Sequence, residues 1–396
     1  MAVTESANSR TVRRAPQLDA RGLRQAMDGL FRRQFGRRRL RSGEETAGLT
    51  EIRRRFESIL DANAETAATR GGVEQVVFGW IETEATDLFG SVLRHERRSV
   101  CAIGISAAIP GVLVGAAGLC LCQRDFLPDL GDASAEHGPA TFDRDLAGTV
   151  LGAQCAAVDG RYGLLDESLR PRDETRARAA ELIGLLALEF AFLHDLQHVL
   201  GGHTDSGSSS NGQPTLVYPS RPSAWPTATA ADRTLFELQA DTWAMAALVR
   251  LLSRGHSLLL TAADFQTATI DPVRALVAAF ALAQRVRHET RAADACAEGE
   301  ALDHAHPLVH WLAVHRSVAR NLGDDEPQLA QALHALEAEG VAHSEWLSQR
   351  FDRATSASRA DDPTPLSAGE SAQALCEAIR TRHPRLRWMH RLAIDA

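Results

Sequence analysis

The chain has 396 residues, 44% of them hydrophobic, which suffices for a sizeable core in two or three domains or in one large helical domain with additions. Its net charge of −8, with all 43 basic residues arginine and none lysine, excludes a general nucleic-acid binder and reads first as coding bias of a GC-rich genome. Six scattered cysteines without Cys-x-x-Cys spacing exclude a disulfide framework and a zinc ribbon.

In chain order, residues 1–16 are a polar tail and 17–169 an N-terminal helical region. The tail lacks the apolar run of a secretory signal, so a cytoplasmic location is expected, with inner-membrane association as the alternative. Residues 18–35 have helical spacing. The six arginines between Arg32 and Arg41 read as a solvated helix face rather than a contact for nucleic acid or lipid. A further helix is expected over 44–61, followed by mixed apolar and acidic residues over 73–90. Residues 100–122, VCAIGISAAIPGVLVGAAGLCLC, carry no charge and have the length of a membrane span. Pro110 and four glycines argue against a span. The alternation over 99–106 reads as a strand, with Pro110 opening a buried helix, and this reading is favoured. Residues 126–172 are loop-rich.

Asp173 is a good N-cap for a helix that runs to Leu200 and stops at Gly201-Gly202. The stretch ELIGLLALEFAFLHDLQHVLGGH at 181–203, which takes in most of this helix, is apolar on nearly all sides yet carries His194, Asp195 and His198. Histidines four apart lie one turn from each other on one face, where two imidazoles can hold one metal ion. The plainer reading is a hydrogen-bonded pair of core histidines. A His-Asp-x-x-His cluster followed by Gly-Gly-His shifts the balance toward metal. Residues 204–231, rich in Ser, Gly and Pro, read as a long surface loop serving as substrate rim or lid. Asp232 is expected to cap the next helix, DRTLFELQADTWAMAALVRLL, which ends before Gly255.

A catalytic zinc site needs three protein ligands and one open position. Glu237 is the expected third ligand. Asp241, four residues on, points the same way and can accept a hydrogen bond from the free ring nitrogen of a ligand histidine. The alternative for Glu237 is a solvated carboxylate on a helix edge. Further helices are expected over 263–289, restarting near Asp271-Pro272, and over 303–321, with Pro307 at a helix start. The last are expected over 328–351 and 367–390, around a polar linker at 353–365. The fold class is mainly α with a small amount of β.

LHDLQHVLGGH followed by FELQADTWA resembles the His-Glu-x-x-His plus Glu-x-x-Ala-Asp pattern of the gluzincin metallopeptidases. It most resembles the phage-exclusion peptidase Lit group, and the ImmA/IrrE and Ste24-like families share parts of the pattern. A later His-Pro pair recurs among such families, and His306-Pro307 supplies one. The resemblance implies a zincin-like core over 170–320; it explains nothing before about residue 170, where the residue patterns alone place N-terminal helices, as they place a C-terminal helical extension over 321–396. It makes His194, His198 and Glu237 ligands of Zn2+, Asp241 the outer partner of a ligand histidine, and His306 the stabiliser of a tetrahedral oxyanion. It implies hydrolysis of peptide bonds in an intracellular protein or peptide substrate, in the setting of phage defence.

The chain departs from the pattern at Asp195, where these families place the glutamate that moves the proton. The acid is one methylene shorter, so a slow peptidase, a peptidase with an adjusted backbone and a zinc-binding pseudoenzyme all remain open. His203 follows His194 by nine residues, one short of the third metzincin ligand, and is expected behind the ligands or at the rim of the site, the alternative being a surface histidine after the helix end. Met245 sits too regularly on a helix for a metzincin Met-turn.

Three other readings compete. His-Asp phosphohydrolases would use both His194 and Asp195 as ligands but need an upstream histidine, and only His95 and His137 are on offer. A di-metal carboxylate bundle would use Asp195-x-x-His198 with Asp303-x-x-His306. A non-catalytic sensor or scaffold would hold a structural zinc.

Overall fold

The computed structural model describes residues 43–70, 73–82, 91–95, 100–138, 165–203, 230–298, 307–351 and 365–382. Shorter pieces are described between 22 and 40, between 142 and 159, and at 215–217. The protein is mainly helical with a little β-structure. Helices α1 (Ala47–Ala62) and α2 (Ala64–Arg70) precede strands β1 (Gln75–Ile81), β2 (Ser91–His95) and β3 (Val100–Ser106). Helix α3 (Ile109–Leu121) follows, then a two-stranded hairpin, β4 (Val158–Asp159) with β5 (Leu165–Asp166). The long helix α4 (Glu174–Leu200) leads to β6 (Thr215–Val217) and α5 (Ala230–Ser253). The chain continues through α6 (Ala262–Ala268), α7 (Pro272–Glu298), α8 (Pro307–Asp325), α9 (Pro327–Ala335), α10 (Glu337–Phe351) and α11 (Pro365–Arg382).

The main sheet has the order β1-β3-β2-β6, with β1 parallel and β2 antiparallel to β3, and β6 antiparallel to β2. Every residue of β3 is buried, as its chargeless sequence requires. Pro110 lies in the first turn of α3, where its missing N–H costs nothing. That helix has 13 residues and is about 20 Å long, too short for a bilayer. Among the described residues no helix is long and apolar enough to cross a membrane.

Helix α4 is the axis of the molecule because it has no polar face to leave in water; all but two of the residues from Arg176 to Leu200 are buried. Phe192 stacks on Phe56 of α1 at 4.0 Å, and Phe78 of β1 meets both edge-on. Helix α3 crosses so closely at Gly184 that a Cβ there would lie 2.5 Å from the Val114 Cα. The apolar core is continuous across the expected segments, from Leu49 through Val114 and Leu186 to Cys376.

Two buried ionisable side chains fix α4 in place, one at its start and one past its middle. At its start, Asp173 caps the helix by accepting from the Arg176 backbone N–H at 3.0 Å. The buried Arg176 guanidinium then uses all five donors on carbonyl oxygens, those of Leu121, Gln123, Phe126, Leu127 and Leu130, at 2.7–3.0 Å. Farther along, Glu189 accepts from the Ser257 hydroxyl and from the Leu258 and Leu259 amides at 2.6–3.0 Å, tying the loop after α5 to the axis.

Two expectations need correction. Helix α5 begins at Ala230, so Asp232 lies inside the helix and is not its cap. The segment 204–231, read as a loop without structure of its own, contains β6. Its partner in β2 is more than a hundred residues earlier, so no local pattern announces the pairing. Most of the rest of that segment, the 353–365 linker and much of the 32–41 arginine cluster lie outside the described residues. Arg39 is described, and it pairs with Asp28 at 3.3 Å.

Lysine offers three donors in place of five, leaving two buried carbonyls unsatisfied. Arg176→Lys is therefore expected to lower the unfolding free energy by about 3 kcal/mol, measured by urea denaturation. Burial pushes the Glu189 carboxyl from 4.5 up to about 7, against the three hydrogen bonds it accepts. The folded state thus binds the extra proton, and this contribution is full below pH 4.5 and lost as pH rises through 7. Glu189→Gln does not titrate. Its stability relative to the native chain is expected to improve by roughly 2–3 kcal/mol between pH 5 and pH 8.

Candidate metal centre

The last two turns of α4 and the second turn of α5 face each other across a buried gap. His194, His198 and Glu237 converge there, with one ligand atom from each within 4.8 Å of the others. His194 Nε2 and His198 Nε2 are 3.0 Å apart. Glu237 Oε1 is 3.2 Å from His198 Nε2, and its Oε2 is 3.5 Å from His194 Nε2. A tetrahedral zinc with bonds of roughly 2.0–2.1 Å sets its donors roughly 3.3–3.4 Å apart, so these separations fit that ion. Glu237 is only 3% exposed and is no solvated edge carboxylate.

Outer partners fix the direction of both rings. Asp241, one turn beyond Glu237, accepts the Nδ1–H of His194 at 2.5 Å. That leaves the His194 Nε2 lone pair aimed into the gap. Burial first, and then the nearby Arg287 charge, push the His194 pKa down to about 4, so the ring is neutral at pH 7. His203 donates from Nε2 to the Gln239 side-chain oxygen at 3.2 Å and accepts at Nδ1 from His198 Nδ1–H at 2.9 Å. The His198 Nε2 lone pair therefore also faces the gap. His203 reaches this place because Gly201 and Gly202 turn the chain sharply. Gly202 has φ +69, and a Cβ on Gly201 would sit 3.0 Å from His203 Nε2. Phe236 stacks on the His203 ring at 4.7 Å.

Two imidazole lone pairs and a carboxylate aimed at one point repel one another unless a cation lies among them. That donor set suits zinc.

Three contributors came from elements whose sequence did not single them out. Arg287 of α7 donates from Nη1 to Asp241 Oδ1 at 3.0 Å and from Nη2 to His194 Nε2 at 2.6 Å. Its Nη2 also pairs closely with Glu237 Oε2. Gln284, one turn earlier, donates to Asp241 Oδ2 at 2.9 Å. His310 of α8 donates to the same oxygen. Burial would raise the Asp241 carboxyl, but Arg287 and His194 hold it well below the usual range. Burial likewise opposes the charge on Arg287, and Asp241, Glu237 and Asp195 outweigh it. Asp195 itself is buried, next to His194 on α4.

The other expected participants stand apart or lie outside the described residues, as His306 and Asp303 do. His137 pairs through its backbone with Cys122 and Arg124, beside the start of α4. Arg176 at that end is 18 residues, about 27 Å, from His194. The side chain of His95 is outside the described residues. Met245 lies buried within α5.

Comparison with protein-family models, curated proteins and solved structures gives no match.

Loss of an outer partner should weaken metal binding without removing a ligand. Asp241→Asn and His203→Ala are each expected to weaken zinc binding by roughly 10–100-fold, measured by competition with a chromophoric chelator. Retention of native affinity in both would show that ring direction is set elsewhere.

Proposed function

We propose that the chain is a zinc-dependent peptidase in which His194, His198 and Glu237 hold the metal and Asp195 is the general base and acid. The observation that carries this reading is the aim of both Nε2 lone pairs and the Glu237 carboxylate at one buried point, at tetrahedral spacing, with Asp195 buried next to His194 on the same helix. A zinc ion held there would supply Lewis acidity toward a peptide carbonyl and a nucleophilic water at neutral pH. Asp195 takes the proton of the attacking water and returns it to the leaving nitrogen. Asp241 and His203 keep the rings aligned while charge develops.

A protein substrate is supported by β6. It is the last strand in the sheet order among the described residues, within the segment read as the rim of the cleft. An extended peptide adds to such an edge by main-chain hydrogen bonds. An intracellular target and a place in phage defence rest on the resemblance to the Lit group alone. The phosphohydrolase reading is less well supported, because it makes Asp195 a ligand and gives Glu237 no role.

Metal analysis and a protein-cleavage assay on the native chain, His198→Ala and Asp195→Glu test the reading. The native chain should carry zinc and His198→Ala should lose it. Asp195→Glu should cleave faster by roughly tenfold or more, since the longer acid recovers up to about 1 Å of reach. Zinc in the native chain with no cleavage by it or by Asp195→Glu would point to a sensor or scaffold and overturn the peptidase reading.

A further inference from the structure

The cation closest to the candidate ligands is one of the protein's own. Arg287 Nη2 reaches both His194 Nε2 and Glu237 Oε2, two of the atoms that metal ligation requires. The His194 lone pair cannot serve a guanidinium N–H and a metal together. The same side chain keeps a separate hold through Nη1 on Asp241 Oδ1 at 3.0 Å, an oxygen outside the ligand set. A guanidinium displaced from the ligands therefore keeps a buried ionic partner.

We propose that Arg287 is a built-in competitor for the metal, so that metal loading is an exchange in which the ion replaces the arginine Nη2 at His194 Nε2 and Glu237 Oε2. This inference rests on the reading of the centre as a metal site. It assigns Arg287 a task that the ligand motif does not contain: setting metal affinity and holding the ligands together before the ion arrives. Formal charge agrees. Asp195, Glu237 and Asp241 against the one guanidinium leave an excess of two negative charges, which one divalent cation cancels. The guanidinium satisfies the acceptors in part and opposes the incoming ion as a like charge.

The test is zinc affinity and melting temperature of the chelator-treated full chain, in the native form and as Arg287→Met, Arg287→Lys and Arg285→Met. Arg285 is the control because it is buried on the same helix but bonds to Glu289 and the Phe351 carbonyl. Arg287→Met is expected to bind zinc about tenfold tighter or more, to melt lower without metal, and to gain more from zinc than the native chain. Arg287→Lys keeps the charge but loses the planar fork, and should tighten binding by a smaller factor. It carries the test if Arg287→Met does not fold. Arg285→Met should leave zinc affinity unchanged. Unchanged or weaker zinc binding in the Arg287 variants, with zinc bound by the native chain, overturns the exchange and leaves the metal site standing. Zinc bound by neither the native chain nor the Arg287 variants overturns both.

Discussion

Asp241 is the point at which four helices are tied together. From α5 it receives the His194 ring of α4, Gln284 and Arg287 of α7, and His310 of α8. Its carboxylate is wholly buried, so its charge persists only because every approach to it is occupied by a donor. Removing one of those donors leaves a buried charge short of a partner, which is why such knots are costly to break. The candidate ligands on α4 and α5 inherit their positions from this knot. The centre is thus a property of helix packing first and of the His-Asp-x-x-His motif second.

Much of this was legible in the residues themselves. The Asp173 cap, the Gly201-Gly202 stop and the Pro110 helix start are local signals whose cause lies within a few residues. The Glu237–Asp241 pair could be read because four-residue spacing on an alanine- and leucine-rich helix forces both carboxylates to one side. Arg287 and Gln284 could not be read in the same way. They are polar residues on a helix buried from Ala275 through Arg287, and their partners lie 43 to 93 positions away. The one signal was their three-residue spacing at the end of the run from Ala275 to Val286, where every position but Gln284 and Arg285 is apolar. His310 was hidden because it is one of several histidines in HAHPLVHWLAVHR, and nothing local to that run marks which of them meets Asp241.

The two ends of α4 show how a buried arginine can serve opposite purposes. Arg176 is surrounded by carbonyl dipoles and has no carboxylate within its hydrogen-bonding reach. It shapes the turn after α3 and stays there, every donor in use. Arg287 is surrounded by carboxylates and an imidazole lone pair, groups that would accept another cation as readily. The first guanidinium is structural because nothing else could take its place. The second is held by groups of the kind that also bind metal ions.

The near-contact of α3 and α4 at Gly184 has a bearing on how the motif could ever be transplanted. The spacing there is that of backbone against side-chain-free backbone, so the depth at which α4 lies in the molecule is set by a helix some seventy residues upstream. A fragment beginning at the metal motif would keep the ligand letters but lose the wall against which α4 rests. Helix α3, though no part of the motif, is part of the mould in which it is cast.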